Sequence, residues 1–306
     1  MASQLRQNPM FGPHVSRVHA SGVRPDISDH IETARREAEI DAAFRVTAAS
    51  IFVGGPRDRK INLEPAEVAK LGEYVSRTGL KVVAHNSYSA APWRGDPDAA
   101  KFIREEAKVC QAAGVFGLVV HLPKLPVAGV MKYISRLVEP EAADVRVYLE
   151  IPAVRPHESY YETPEKLTEL FGAIRGGPDA GLRHFGLCVD TAHLHTCGVD
   201  LRTYGEANAW LEALEAASDV IPHDVVVLHI NDSARPLGAG PDAHAPLAQG
   251  RIWGEFRGRL GESGLAAFTD YAQRHGTVSI LERKPREALL NDYRVLRELV
   301  PSAQIV

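Results

Sequence analysis

Short apolar runs alternate with longer amphipathic stretches along almost the whole chain. The runs are MFGPHVS (10–16), RVTAASIFV (45–53), LKVVAHNS (80–87), VFGLVVHL (115–122), VRVYLEI (145–151), HFGLCVDTAH (184–193), VVVLHIND (225–232) and TVSILER (277–283). Most are rich in β-branched residues and predict strands. The intervening segments ISDHIETARREAEIDAAF, PAEVAKLGEYVSRTG, PDAAKFIREEAKVCQAAG and TPEKLTELFGAIRGG repeat apolar residues at helical spacing. Pro97 and Pro164 stand where helices begin, and glycines close several of them. Strands alternating with helices predict a parallel sheet, and eight such strands are the count of a (β/α)8 TIM barrel, an α/β fold. Residues 233–262, rich in Gly and Pro, are too long for a mere connection, and loops of that length are usually functional.

Composition narrows the picture modestly. A chain of 306 residues with 45% apolar content can bury a large core, and the even spacing of its elements predicts one barrel domain over 1–306. The start MASQLRQNPM lacks a signal-peptide core, and no run of about 20 apolar residues follows, so a soluble, intracellular protein is expected, neither secreted nor in a membrane. Cys110, Cys188 and Cys197 lack paired CxxC spacing and make no disulfide framework; they read as reduced core or near-site residues. A net charge of −4 speaks against a nucleic-acid partner, but three bound divalent ions would bring it to −4 + 6 = +2, with the gain at one face.

Candidate chemistry lies where the runs end. Six close on His85, His121, Glu150, Asp190, His229 and Glu282. Parallel strands aim their C-terminal ends the same way, so these six converge on the face where barrels of this kind place active sites. One histidine closing an apolar run reads more simply as a buried, hydrogen-bonded core residue, and that reading is kept for His14, His19, His157, His184, His223 and His275. It does not serve for six ends at once, because carboxylates gathered at one mouth repel each other without cations. DTAHLH adds His193 three residues after Asp190, with His195 as a rival, and PDAH adds Asp242 and His244, which an extended loop would turn to one side. Five histidines and four carboxylates without a thiolate suit zinc, with manganese as the alternative, and their number predicts three ions sharing one bridging carboxylate.

The order and spacing of GPHVS (12–16), AHNSY (84–88), VVHLP (119–123), the glutamate of LEIPA, CVDTAH with GVDLRTY (188–204), LHINDS (228–233), GPDAH and LERK (281–284) resemble the endonuclease IV family over nearly the whole length. These are metal-dependent apurinic/apyrimidinic endonucleases (AP endonuclease family 2) of base excision repair. The resemblance implies a first zinc on His85, His121 and Glu150, a second on Glu150, Asp190, His229 and Glu282, and a third on His193, Asp242 and His244. It implies hydrolysis of the phosphodiester 5′ to an abasic site by a trinuclear zinc mechanism, with Glu150 as bridge and Glu282 helping to orient the water. Double-stranded DNA with abasic sites is the implied partner, Arg57 and Tyr88 are the implied DNA-probing residues, and a monomer is the implied state.

Departures fall outside that ligand set. Arg59 replaces a tryptophan of the family, IPAVRP replaces a polar run after Glu150, Ala234 replaces a lysine, and Ala243 replaces an arginine between Asp242 and His244. Arg155, Arg235, Arg251 and Lys124 are candidate substitute phosphate contacts, each also readable as a solvated surface charge. Two other readings stay open. A single-metal sugar isomerase or epimerase resembling xylose isomerase would use Glu150, Asp190, His229 and Glu282, leaving His85, His121, His193, Asp242 and His244 as surplus. A catalytically weakened abasic-DNA binding protein would keep the metals and lose turnover.

Overall fold

The computed structural model describes residues 9–15, 26–57, 59–138, 140–142, 144–177, 184–284 and 286–300; His19 and Ser16 lie outside them. Eight parallel strands close a barrel: β1 (Met10–Val15), β2 (Ala48–Phe52), β3 (Lys81–His85), β4 (Gly117–His121), β5 (Arg146–Glu150), β6 (Phe185–Asp190), β7 (Val226–His229) and β10 (Val278–Leu281). Two further strands of two residues each, β8 (Asp232–Ser233) and β9 (His244–Ala245), form an antiparallel pair inside the long loop. The barrel closes where β1 pairs with β10 on one side and β2 on the other.

Helices wrap the outside because their apolar stripes need the outer faces of the strands. The longer ones are α1 (Ile27–Ala42), α2 (Pro65–Thr78), α3 (Pro97–Ala112), α5 (Pro164–Gly176), α7 (Tyr204–Ala216), α8 (Gly264–His275) and α9 (Arg286–Arg297), while the short α4 (Val127–Met131) and α6 (Thr191–Thr196) follow β4 and β6, with every residue of α6 buried. Their starts are written locally. Asp96 accepts hydrogen bonds from the amides of Asp98 and Ala99 ahead of Pro97 in α3, and Thr203 and Glu206 form a reciprocal capping box at α7. The eight predicted runs all contain a strand, each shorter than its run. HFGLCVDTAH runs past its strand: the strand stops at Asp190, and the chain turns at once into α6.

Inside the barrel, Ala48, Val83, Val119, Tyr148, Cys188, Val227, Val278 and Ile280 form one apolar plug. The Tyr148 ring fits only because Gly117 and Gly186 flank it: a Cβ at those positions would lie 2.3 and 2.7 Å from ring carbons. The plug blocks the bottom of the barrel and leaves the top for polar side chains.

Candidate metal centre

Strand alternation raises the centre directly above that plug. Two residues up each strand, Val83 leads to His85, Val119 to His121, Tyr148 to Glu150, Cys188 to Asp190, Val227 to His229 and Ile280 to Glu282. Strand register keeps the layer level, with His121 opposite Glu150 and Asp190 opposite His229. Glu150, fully buried, is its hub. Its Oε2 lies 2.8 Å from His121 Nε2 and 3.1 Å from His85 Nε2, while Oε1 lies 2.9 Å from His229 Nδ1 and 3.6 Å from His193 Nδ1. Glu282 Oε2 and Asp190 Oδ2 approach His229 Nδ1 to 3.5 and 3.9 Å.

Asp190 serves two structures at once. As N-cap of α6, its Oδ1 accepts from the amides of Ala192 (2.7 Å) and His193 (3.0 Å), leaving Oδ2 for the centre. His193 therefore arrives on the first turn of a helix, where i and i+3 share a side, and not on a continued strand. Asp242 and His244 come from the long loop. His244 Nε2 lies 2.9 Å from Asp242 Oδ2 and 3.6 Å from Asp190 Oδ2, and His193 Nε2 lies 3.8 Å from Asp242 Oδ2. The loop is packed: Leu247, Ile252 and Trp253 are buried, and the Asp232 carboxylate gathers the amides of Ser233, Gly250 and Ile252 at 2.8, 3.0 and 2.9 Å.

The donor set fits divalent cations. Donor atoms of His85, His121 and Glu150 lie within 4.8 Å of one another, as do those of Glu150, Asp190, His229 and Glu282, and those of Asp190, His193 and His244. Several imidazoles have one nitrogen tied to a backbone carbonyl: His85 Nδ1 to Asn86 at 2.8 Å, His193 Nδ1 to Ile151 at 2.7 Å and His244 Nδ1 to Glu282 at 3.4 Å. Each then points its Nε2 at carboxylates, the orientation that metal-binding imidazoles need. The field is strongly polarised. Burial disfavours charge on Glu150, yet the imidazoles of His121 and His229 hold its pKa well below the usual carboxylate range. Burial likewise opposes a proton on His193, yet Asp190, Asp242 and Glu150 hold its pKa well above the ordinary value. Cations can take the place of those protons.

A cavity of about 640 Å³ opens over the centre. Ala90, Trp93, Leu122, Pro123 and Val154 give it an apolar wall. Tyr88 stands exposed at its edge, its ring 5.1 Å from that of His85 and 5.5 Å from that of His121. Arg57, also exposed, lies on the neighbouring β2–α2 loop. The two loops are tied together. The Tyr88 amide donates to the Pro56 carbonyl at 3.0 Å, and the substituted Arg59 donates twice to the Ser89 carbonyl, at 3.0 and 2.8 Å. Beneath them the Asn86 amide donates to the buried Glu106, whose pKa burial pushes up to about 7. Lys124 pairs with Glu158 at 3.0 Å and Arg251 pairs with Glu255, whereas Arg155 and Arg235 are exposed.

Several neighbours of the centre were not singled out from sequence. His14, read as a core histidine, is partly buried, its side chain 8% exposed and bonded to Ser50 at 3.1 Å, and it stands at the mouth, 3.8 Å from Glu282 Oε1; burial lowers its pKa to about 3. Its place two residues above Gly12 follows the same alternation as the other strand ends, which was the available signal. The Cys188 thiol, read as a reduced core or near-site residue, is free and buried and lies within 4.8 Å of donor atoms of Glu150 and His229. Asn231 donates to Asp190 Oδ2 at 2.6 Å and Glu282 Oε2 at 3.3 Å, and the Trp93 indole donates to the His121 carbonyl at 2.8 Å. His195 is buried on α6 outside these donor groups, and His157 is exposed where a core position was expected. His223 and His275 stack on each other at 3.9 Å, with His275 bonded to Glu215.

Comparison with known proteins places these features in a family context. Residues 41–298 match the family profile described as xylose isomerase-like TIM barrel. A protein of African swine fever virus (isolate Pig/Kenya/KEN-50/1950), named probable AP endonuclease, is 36% identical over 268 residues, covering 84% of this chain and 88% of its own. A solved structure described as AsfvAP:AG superposes with a TM-score of 0.89 at 33% identity, over 95% of this chain and 99% of its own. Endonuclease IV from Thermus thermophilus superposes with a TM-score of 0.69 at 26% identity, over 95% of this chain and all (100%) of its own.

Proposed function

The chain belongs to the endonuclease IV family, AP endonuclease family 2 of the xylose isomerase-like TIM barrels, and from that membership we propose that it cuts duplex DNA 5′ to abasic sites, in base excision repair, with three divalent ions. It is a deoxyribonuclease, a phosphoric diester hydrolase. The reading takes 1–306 as one nuclease domain acting as a monomer. One observation supports it above the others. Glu150, Asp190, His229 and Glu282 would satisfy a single ion, yet His85, His121, His193, Asp242 and His244 stand around the same carboxylates.

In this reading His85, His121 and Glu150 hold the first ion, and Glu150, Asp190, His229 and Glu282 the second. His193, Asp242 and His244 hold the third, with Asp190 near enough to His244 to join them. The nitrogen and oxygen donors favour zinc, with manganese as the alternative. Bound there, such ions supply Lewis acidity, lowering the pKa of water and neutralising charge on phosphodiester oxygens. The protein's own part is position. Glu150 turns one oxygen toward His85 and His121 and the other toward His229, the geometry of a bridge. Glu282 orients the attacking water from the open side of the layer. Tyr88 and Arg57 press into the duplex, where a missing base lowers the cost of unstacking. The apolar wall takes the base-less sugar and excludes bulk water.

The test is metal content by elemental analysis, beside an assay on a duplex oligonucleotide with one synthetic abasic site. About three ions per chain and EDTA-sensitive scission 5′ to the lesion, leaving a 3′-hydroxyl, are expected. One ion with intact DNA would instead support the isomerase chemistry, and three ions with binding but no scission a weakened abasic-DNA binder.

A further inference from the structure

Arg283 and Asp292 form an ion pair sealed from solvent, Nε to Oδ2 at 2.7 Å, with side-chain exposures of 2% and 0%. Two apolar residues of similar volume would fill such a space at least as stably, because an ion pair must first be stripped of water. What an apolar pair cannot do is donate directional hydrogen bonds. Arg283 Nη2 donates to Asn231 Oδ1 at 3.2 Å, and the Glu282 amide donates to the same oxygen at 3.2 Å. Those two donors decide which way the Asn231 amide faces. With its oxygen turned to them, its Nδ2 must face Asp190 and Glu282, at 2.6 and 3.3 Å. Flipped, the amide would set its carbonyl against two carboxylates and its NH2 against two donors, leaving four groups unmatched.

Asp292 also reaches the other side of the centre. Its Oδ1 accepts from the Leu247 amide at 2.7 Å, while neighbouring Asn291 donates to the Leu247 carbonyl at 3.3 Å. Leu247 is fully buried and lies three residues beyond His244 in the loop that carries Asp242. One carboxylate on α9 thus holds the base of that loop and, through Arg283 and Asn231, two strand-end carboxylates.

We propose that Asp292 is a positioning residue for the metal centre, acting through Arg283 and Asn231 on Asp190 and Glu282 and through Leu247 on His244. The proposal rests on the reading that these residues hold metal ions. It separates affinity from folding: outer partners of metal ligands typically change metal affinity by about tenfold to a hundredfold, whereas a purely structural pair affects only unfolding.

The experiment compares the full-length protein with Asp292→Asn and with the double variant Arg283→Met/Asp292→Leu, which keeps the space filled. Zinc affinity is read at 25 °C by competition with a chromophoric chelator, and thermal unfolding of the metal-free proteins is followed by circular dichroism. The double variant should stay folded when metal-free, unfolding at a moderately lower temperature because the Leu247 amide loses its acceptor, and lose at least about tenfold in affinity for its most weakly held ion. Restoring the wild-type pair should restore affinity. Wild type and double variant binding zinc equally tightly overturns the relay while the metal reading stands. A wild type that binds no zinc overturns the metal reading and the relay with it.

Discussion

Glu106 gives the plainest residue-scale prediction. Its side chain is fully buried beneath the two loops that carry Arg57 and Tyr88, and burial lifts its pKa from 4.5 to about 7. An acid whose folded pKa is raised contributes stability that is complete below pH 4.5 and disappears as pH rises through about 7. The shift corresponds to about 3 kcal/mol. Glu106→Gln should therefore lose about 3 kcal/mol less than wild type between pH 5 and pH 8 in urea unfolding; parallel pH profiles would show that the site tolerates the charge. Tyr88 sits higher, exposed against His85 and His121. Tyr88→Ala should reduce discrimination between abasic and intact duplexes about tenfold, the scale of one lost stacking partner, with metal content unchanged. The ratio of dissociation constants for the two duplexes measures it, and an unaltered ratio removes Tyr88 from lesion sensing.

At the scale of elements, positions on strands were legible in the sequence and positions set by long-range contact were not. The end of a β-branched run marks the top of a strand, and period-two alternation turns residues of one parity inward; His85, His121, Glu150, Asp190, His229 and Glu282 could be located from that alone. Asn231, Arg283 and Asp292 could not, because nothing local tells that residues tens of positions apart share an amide. The turn of α6 was hidden too, since Asp190 looks like the last residue of a strand until its side chain is seen capping the helix. Nor did the Gly- and Pro-rich composition of 233–262 reveal a packed unit with its own strand pair, closed by the Asp232 carboxylate. Asp232→Ala would leave the amides of Gly250 and Ile252 buried and unmatched, and should cost about 3 kcal/mol, at roughly 1–3 kcal/mol per orphaned group. Urea unfolding measures the loss, and limited proteolysis should then cut within 233–262. Resistance equal to wild type would mean that Leu247, Ile252 and Trp253 hold the loop unaided.

For the whole molecule, removing metal should weaken the fold without dissolving it. The plug around Tyr148 and the helices packed outside the strands do not depend on the mouth. Ligand that binds only the folded state adds about 4 kcal/mol at a thousand times its dissociation constant. Exhaustive EDTA dialysis should thus lower the unfolding temperature while leaving the far-ultraviolet dichroism native, and zinc should restore it; collapse of the spectrum would make the ions structural. The alternation that stacks donors above the plug carries one more consequence. A strand that slides by one position sends its inward residues outward, so a misaligned strand loses its donor from the mouth and its plug residue from the barrel interior together. The stoichiometry of bound divalent metal is then a gauge of alignment around the whole barrel: a refolded sample short of ions should be one in which strands have closed out of register.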